Sequence, residues 1–427
     1  MINKISLVII ISFLLSCITM KNTSDQNSSK IIHGKVAPGF EEVKKEFIRN
    51  FAKRGEIGAS CCIYYKGEKV VDLWGGYKNK KTKEPWEENT VVKVFSTTKG
   101  MALLVLAKLH SDGLLDYNEK VSTYWPEFAK NGKENITVVQ LLTHKSGLVL
   151  LDRKVKVSEL HNFDELSQLL ENATPMWEPG KKHGYHSATI GLYMQQLVRR
   201  IDIKGRTIGK YFLDEIAKPL EADFYIGLPD DFETNRLATL KELVPPLALF
   251  QLKKVPKGML GQLINPGSLM MKSFMLIQID LKNPLEELKF EEASGAGAGN
   301  ARGLAKIYGE LAIGGKKLGI SNQTFKYLVE RTNPPDDGLL DEVMRIKTIG
   351  SSVKWSKSGH CKPADDFDFG SESSFGFYGT GGSFAYADPE NQIGYAYTMN
   401  KMDFYTQNDP REIAVREAMY KSISKFK

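Results

Sequence analysis

Cysteine is scarce in this chain of 427 residues, which has four: Cys17, Cys61, Cys62 and Cys361. Cys61 and Cys62 are adjacent in a strand-like segment, where neighbouring side chains point to opposite faces, so we expect no disulfide between them. The sequence contains neither C-x-x-C nor, among its seven histidines, H-E-x-x-H. The phosphate-binding patterns G-x-x-x-x-G-K-[ST] and post-strand G-x-G-x-x-G are also missing. We therefore expect no metal site, and we identify no cofactor.

A strong charge bias and long apolar runs are also absent. The formal net charge is +7 with 26% charged residues, and lysine is spread along the chain rather than clustered. Nucleic-acid binding is not favoured, because no basic arm with interleaved aromatic residues is present. Apart from the N-terminus, no stretch is long and apolar enough to cross a bilayer. With 42% apolar residues, the composition is that of a soluble globular protein with a substantial core.

The N-terminus has the layout of a bacterial secretory signal. A short segment with one lysine precedes the apolar run 7–15, and Leu14-Leu15-Ser16-Cys17 follows. This ending resembles a lipobox, so residues 1–17 are predicted to be a signal segment and Cys17 the lipidated N-terminus of the mature protein. A plain signal peptide with an incidental cysteine remains an alternative. The polar residues 18–35 are predicted to be a tether, and the protein to be exported and lipid-anchored in a bacterial cell envelope.

The rest of the chain, residues 36–427, reads as one domain with strands at both ends. Apolar residues at helical spacing from Phe40 to Phe51 precede a predicted β-hairpin at 58–74. The end of the chain is predicted to form strands at 376–388 and 392–399, then a helix starting at Asp409-Pro410. This order predicts a mixed α/β (α+β) fold, in which a sheet subdomain of about 36–100 and 291–427 encloses a helical subdomain of about 101–290.

Ser96 and Lys99 lie where a predicted strand, 91–95, meets an apolar-periodic helix. Residues three apart share a face of a helix, so the amine can reach the hydroxyl. An activated serine needs a base within reach and donors for a developing oxyanion, and a helix start supplies part of both. The same Ser-x-x-Lys spacing recurs at Ser351, Ser422 and Ser424, so this pattern alone also fits an exposed serine with a solvated lysine.

Two further stretches carry candidate chemistry. Tyr185 lies at a predicted junction between a loop and the helix 189–201, where its phenol can point into a cleft and shuttle a proton. The glycine-dense stretch 375–384 lets a substrate lie against bare backbone, whose N–H groups can serve as oxyanion donors. A tightly packed or bulged strand is the competing explanation for those glycines. His144, in a glycine-closed turn, is interpreted as structural.

In their order and separations, these stretches resemble the serine β-lactamase/penicillin-binding-protein superfamily, and most closely its family VIII carboxylesterases, which are related to class C β-lactamases. The resemblance runs from about residue 40 to residue 402. It includes these framework phrases: Leu141-Leu142-Thr143-His144-Lys145-Ser146-Gly147-Leu148, Trp177-Glu178-Pro179-Gly180, His183-Gly184-Tyr185-His186, Asn300-Ala301-Arg302-Gly303-Leu304-Ala305 and Ala387-Asp388-Pro389.

The resemblance implies a role for each matched position. Ser96 would be the nucleophile and Lys99 would hold or accept its proton. Tyr185 would take the tyrosine place of the Tyr-x-Asn element, and whether lysine or tyrosine is the base stays open. The backbone N–H groups of Ser96 and Thr380 would form the oxyanion hole.

Two departures from the family pattern affect the substrate. Ser187 replaces the asparagine of Tyr-x-Asn, and Phe377-Tyr378-Gly379 stands where lactamases carry Lys-Thr-Gly; these four positions are expected to contact the substrate. A neutral phenylalanine cannot make the charge-assisted bond to a substrate carboxylate, which contributes about 1.5–3 kcal/mol. The expected substrate is therefore a small carboxylic ester, cleaved through an acyl-enzyme. The alternatives are a penicillin-recognising enzyme, either a weak β-lactamase or a DD-peptidase, and an inactive lipid-anchored binding protein.

Overall fold

The computed structural model of the protein describes residues 26–426, except for 27, 242–253, 255–256, 279–283, 333–340, 344–353, 364–367 and 406. Cys17 and the predicted signal segment lie outside the described residues. Among the described helices, none is long and apolar enough to cross a membrane.

The strands are numbered in chain order. They are β1 Ile32–Val36, β2 Gly58–Tyr65, β3 Glu68–Asn79, β4 Glu84–Pro85, β5 Val92–Lys93, β6 Val155–Lys156, β7 Phe224–Tyr225, β8 Ile277–Gln278, β9 Ala298–Gly299, β10 Lys354–Trp355, β11 Cys361–Lys362, β12 Phe375–Tyr378, β13 Phe384–Asp388 and β14 Ile393–Met399.

The α-helices are numbered in the same way. They are α1 Glu41–Lys53, α2 Thr97–Ser111, α3 Val121–Tyr124, α4 Val138–Leu142, α5 Phe163–Asn172, α6 Thr189–Ile201, α7 Ile208–Phe212, α8 Lys257–Leu263, α9 Leu269–Phe274, α10 Pro284–Lys289, α11 Ala301–Ala312, α12 Asn322–Val329 and α13 Pro410–Ile423.

The main sheet joins the two ends of the chain. Its strand order is β1-β3-β2-β14-β13-β12-β11-β10, with β4 paired to β3, and all of these pairs are antiparallel. β14 pairs with β2 along its whole length, from Ile393 opposite Tyr65 to Met399 opposite Ala59. The predicted sheet of N-terminal and C-terminal strands is therefore confirmed.

Helices cover both faces of this sheet. α11 packs so closely on β14 that a Cβ on Gly394 would lie 2.1 Å from the backbone nitrogen of Gly309, and this approach requires glycine. On the opposite face, the next residue, Tyr395, donates a hydrogen bond to the carbonyl of Glu412 in α13. The ring of Tyr397 also lies on this side, 6.1 Å from that of Phe47 in α1. The hydrophobic core thus fills both sides of the sheet.

Two predicted boundaries need correction. Residues 32–35, the end of the predicted tether 18–35, belong instead to the edge strand Ile32–Val36, which pairs with β3. His33 and Lys35 are its exposed positions, as is usual for polar side chains on an edge strand. The single strand predicted at 376–388 is a hairpin, because the chain turns at 379–383 between β12 and β13. The helix predicted after Asp409 is confirmed, and the Asp409 carboxylate caps its N-terminus.

Candidate active site

Ser96 directly precedes α2 and follows the short strand β5. The helix α2 is buried on nearly all sides. The preceding residue, Phe95, has φ 49°, in the left-handed region that residues other than glycine rarely adopt. Such backbone strain is often found at functional sites. The hydroxyl of Thr98 accepts from the N–H of Gly297 at 2.9 Å and so ties the first turn of α2 to the segment before α11.

Lys99 lies one turn further along α2 and is 1% exposed. Its amine is 3.3 Å from the hydroxyl of Ser96 and donates hydrogen bonds of 2.7 Å to the carbonyl oxygens of Ser187 and Ser294. Burial lowers the pKa of Lys99 to about 7, although the nearby charge of Glu292 acts to raise it. The amine therefore titrates near neutral pH.

Tyr185 reaches the same hydroxyl from the loop before α6. Its phenol donates a hydrogen bond of 3.1 Å to Ser96 Oγ, and its ring lies 5.1 Å from the amine of Lys99. Its backbone N–H donates to Asp341 at 2.9 Å, and the ring of Trp355 is stacked on its own at 6.3 Å. Burial raises the pKa of Tyr185 above its usual range, so the phenol is neutral at physiological pH.

The turn between β12 and β13 faces the start of α2. A Cβ on Gly379 would lie 2.1 Å from the carbonyl oxygen of Val94, so this turn passes directly beside the strand that leads into Ser96. Within the described part of the chain, the N–H groups of Ser96 and Thr380 donate no hydrogen bond to another protein group. Both remain available for an oxyanion.

Three predicted substrate contacts differ in exposure. Tyr378 is half-buried, whereas Phe377 is 1% exposed and packs on Trp355 at 5.8 Å between ring centroids. The contact between Phe377 and a substrate stays a prediction, and most of this ring packs against other protein groups. Ser187 is half-buried, and its hydroxyl lies 2.7 Å from that of Ser273 in α9.

Sequence reasoning missed the groups that hold the catalytic candidates in place. The carbonyl of Ser294, the carboxylate of Asp341 and the indole of Trp355 come from segments with no recognisable motif. Ser294 lies directly before a glycine-rich stretch that leads into α11. His144 is buried, and its Nδ1 accepts from the N–H of His186 at 3.1 Å. Among the described residues, no group of histidine, cysteine and acidic side chains could hold a metal ion.

A sequence profile of the beta-lactamase family matches residues 45–419. The chain belongs to the beta-lactamase family. It is 28% identical to the esterase/beta-lactamase LipL of Mycobacterium tuberculosis, over 88% of this chain and 84% of LipL. Its fold superposes on a family VIII carboxylesterase with TM-score 0.76 and 32% identity, covering 92% of this chain and 99% of that one. It also superposes on a penicillin-binding protein homolog from Caulobacter crescentus with TM-score 0.76 and 31% identity, covering 92% of this chain and 99% of that one.

These similarities confirm the predicted family and fold. The protein is a serine hydrolase of the beta-lactamase family, and the prediction of a carboxylesterase is better supported than that of a penicillin-recognising enzyme.

Proposed function

We propose that Ser96 attacks the carbonyl carbon of a carboxylic ester and carries the acyl group, with Lys99 and Tyr185 moving protons. One observation carries this proposal: an amine and a phenol from distant segments lie 3.3 Å and 3.1 Å from the same hydroxyl. Hydrogen-bond reach is the first requirement of a catalytic base or acid.

Lys99 is the better candidate for the base. Its pKa of about 7 leaves a substantial fraction as the free amine at neutral pH, whereas the raised pKa of Tyr185 keeps the phenol protonated. In acylation, Lys99 accepts the proton of Ser96, whose oxygen attacks the ester. The carbonyl oxygen becomes an oxyanion that accepts from the N–H groups of Ser96 and Thr380. The proton then passes through Tyr185 to the leaving alcohol, and water releases the acid in the second half of the cycle.

The test is turnover of p-nitrophenyl butyrate by the wild type and by Ser96→Ala. Loss of the nucleophile should lower kcat by about a thousandfold or more. Ser422→Ala is the matched control, because Ser422, near the end of α13, has the same spacing to Lys425, which follows the helix. The buried hydroxyl of Ser422 makes no hydrogen bond in the described structure. Equal turnover by the wild type and Ser96→Ala would end the assignment.

The second candidate is a penicillin-recognising enzyme, and the similarity to a penicillin-binding protein homolog favours testing it. Phe377 argues against it, because it removes the cation expected to meet a substrate carboxylate. Labelling by a fluorescent penicillin that requires Ser96 would support this candidate. A fluorophosphonate probe, which reacts with an activated serine, distinguishes either enzyme from an inactive binding protein.

For the N-terminus, we propose a signal segment at 1–17 and lipidation of Cys17, which would hold the enzyme on a membrane of the bacterial cell envelope. The support is the lipobox-like sequence alone, with the polar residues after it as a tether. Expression in bacteria with a clickable fatty acid should label the wild type, whereas Cys17→Ser should be unlabelled and released. Label on Cys17→Ser would contradict the proposal.

A further inference from the structure

Ser294 connects the proposed base to a carboxylate. Its carbonyl oxygen accepts from the amine of Lys99 at 2.7 Å, and its N–H donates to the Glu292 carboxylate at 2.8 Å. Its hydroxyl donates to the carbonyl of Ala188 at 2.7 Å and accepts from the N–H of Gly191 at 2.8 Å. Every polar group of Ser294 is therefore engaged, so the carboxylate of Glu292 helps to fix the orientation of the carbonyl that holds Lys99.

Gly295 lies beside both the second oxygen of Glu292 and the chain that leads into Ser96. A Cβ on Gly295 would be 3.4 Å from Glu292 Oε2 and 3.9 Å from the carbonyl carbon of Phe95. In the described part of the molecule, Glu292 forms no ion pair with a lysine or arginine; the nearby Lys93 pairs with Glu287 instead. The carboxylate is therefore balanced mainly by Lys99, and this balance is lost when Lys99 is a neutral amine.

The other titratable groups around Lys99 are uncharged at neutral pH. Burial raises the pKa of the Cys361 thiol and of the Tyr185 phenol, and it lowers the pKa of the His144 imidazole well below its usual range. Burial raises the pKa of Glu292 above its usual value, and the opposing effects of Lys99 and the Ser294 N–H offset only part of this shift. Glu292 is thus the acidic residue in the described surroundings that can act electrostatically on the amine.

We propose that Glu292 is a positioning and specificity-determining residue, which orients Lys99 through Ser294 and disfavours esters that carry a carboxylate. This inference rests on the proposed ester hydrolysis. A substrate carboxylate near Ser96 would add a second negative charge beside Glu292, and Phe377 offers no cation to offset it. The preferred substrates are therefore neutral or cationic esters.

The experiment compares Glu292→Gln with the wild type on two esters of equal chain length, p-nitrophenyl valerate and mono-p-nitrophenyl glutarate. Removing the negative charge of Glu292 lowers the pKa of Lys99 and so favours its neutral amine. In the pH profile of kcat/KM, the rise on the acidic side should therefore move to lower pH. The preference for the neutral ester should fall by about threefold to tenfold. If Glu292 had a purely structural role, Glu292→Gln would lower the activity on both esters. Neither the acidic side of the pH profile nor the preference for the neutral ester would change.

Glu291→Gln is the matched control. Although Glu291 is adjacent in the chain, its carboxylate accepts hydrogen bonds from Thr207 and Gly209 at 2.7 and 2.8 Å and makes none to Ser294 in the described structure. Glu291→Gln should therefore have the same acidic side of the pH profile of kcat/KM, and the same preference for the neutral ester, as the wild type. Glu292→Asp, which keeps the charge but shortens the reach to Ser294, should retain the preference and lower kcat.

The ester preference can also be measured on the wild-type enzyme at several salt concentrations, a test that does not depend on whether a variant folds. Raising the ionic strength from ~0.02 M to ~1 M should leave most of the preference for the neutral ester in place, because salt screens a partly buried carboxylate only weakly. Complete loss of the preference would assign it to surface charges and overturn the inference. If the wild type and Ser96→Ala show the same turnover, the ester assignment fails and this inference fails with it. If the wild type is active but Glu292→Gln changes neither the acidic side of the pH profile nor the preference for the neutral ester, the role of Glu292 is overturned. The proposed ester hydrolysis then still stands.

Discussion

The guanidinium of Arg411 donates a hydrogen bond of 3.0 Å to the carbonyl oxygen of Gly381, the residue after Thr380. The same side chain pairs with Glu56 at 3.1 Å and with Asp409 at 2.6 Å, and all three side chains are at most 5% exposed. The first turn of α13 is therefore tied to the turn that carries the proposed oxyanion donor. A buried cation thus connects the stability of the fold to the geometry of the site.

Replacing Arg411 by methionine should cost about 3–5 kcal/mol of unfolding free energy, because two buried carboxylates lose their partner. Urea denaturation followed by circular dichroism measures this loss. Lys45→Met is the control, since the ion pair of Lys45 with Glu42 lies at the surface and should contribute less than about 1 kcal/mol. Similar losses for the two variants would contradict a special role for Arg411.

Gly379→Ala should reduce activity much more than stability. The added methyl group would overlap the carbonyl oxygen of Val94, only 2.1 Å away, so the turn must shift and carry the N–H of Thr380 with it. A displacement of about 1 Å at a catalytic donor lowers kcat by about a hundredfold. Steady-state turnover of p-nitrophenyl butyrate measures the effect.

Gly261→Ala is the control for that substitution. Gly261 is exposed in α8, and an added Cβ would meet nothing within 4 Å. Alanine is the better helix former by about 1 kcal/mol, so this variant should be active and slightly more stable than the wild type. A comparable loss of kcat in both variants would show that the close approach of Gly379 to Val94 is unimportant.

Sequence reasoning was most successful where local patterns determine structure. The aromatic stripe that begins at Phe40 predicted α1, the period-two segments predicted the hairpin of β2 and β3, and Asp409-Pro410 predicted the start of α13. The Ser-x-x-Lys spacing also predicted that the amine of Lys99 can reach Ser96. These features depend on helix and strand periodicity, and tertiary contacts do not override them here.

What the sequence could not predict depends on contacts between distant segments. The orientation of Phe377 follows from Trp355, 22 positions earlier, and nothing in its own strand indicates that the ring faces the core. The two carbonyls that hold Lys99 belong to Ser187 and Ser294, and a backbone acceptor has no side-chain signature. The sequence predicts a strand at 379–383, where the structure has a turn, because glycines are compatible with both.

The pH dependence should report on Lys99. The free amine is the proposed base and its pKa is about 7, so kcat/KM should be low at about pH 5, rise through about pH 7 and level off above it. The raised pKa of Tyr185 predicts no alkaline decline up to about pH 9. His144 and His186 cannot cause this rise of kcat/KM near pH 7, because burial lowers the pKa of both imidazoles below its usual range. A flat profile from about pH 5 to about pH 9 would contradict Lys99 as the base.

Phe377→Lys should not convert this enzyme into a penicillin-recognising one. The new ammonium would replace a ring that is 1% exposed and packed on Trp355, so the variant must bury an unpaired charge or rearrange the aromatic cluster. We expect a loss of about 3 kcal/mol or more in unfolding free energy, measured by urea denaturation, and no gain in labelling by a fluorescent penicillin. Phe377→Leu, the apolar control, should cost about 1–2 kcal/mol and also remain unlabelled. If Phe377→Lys keeps wild-type stability and acquires Ser96-dependent labelling, the side chain at this position reaches the cleft, and one cation suffices to change the substrate class.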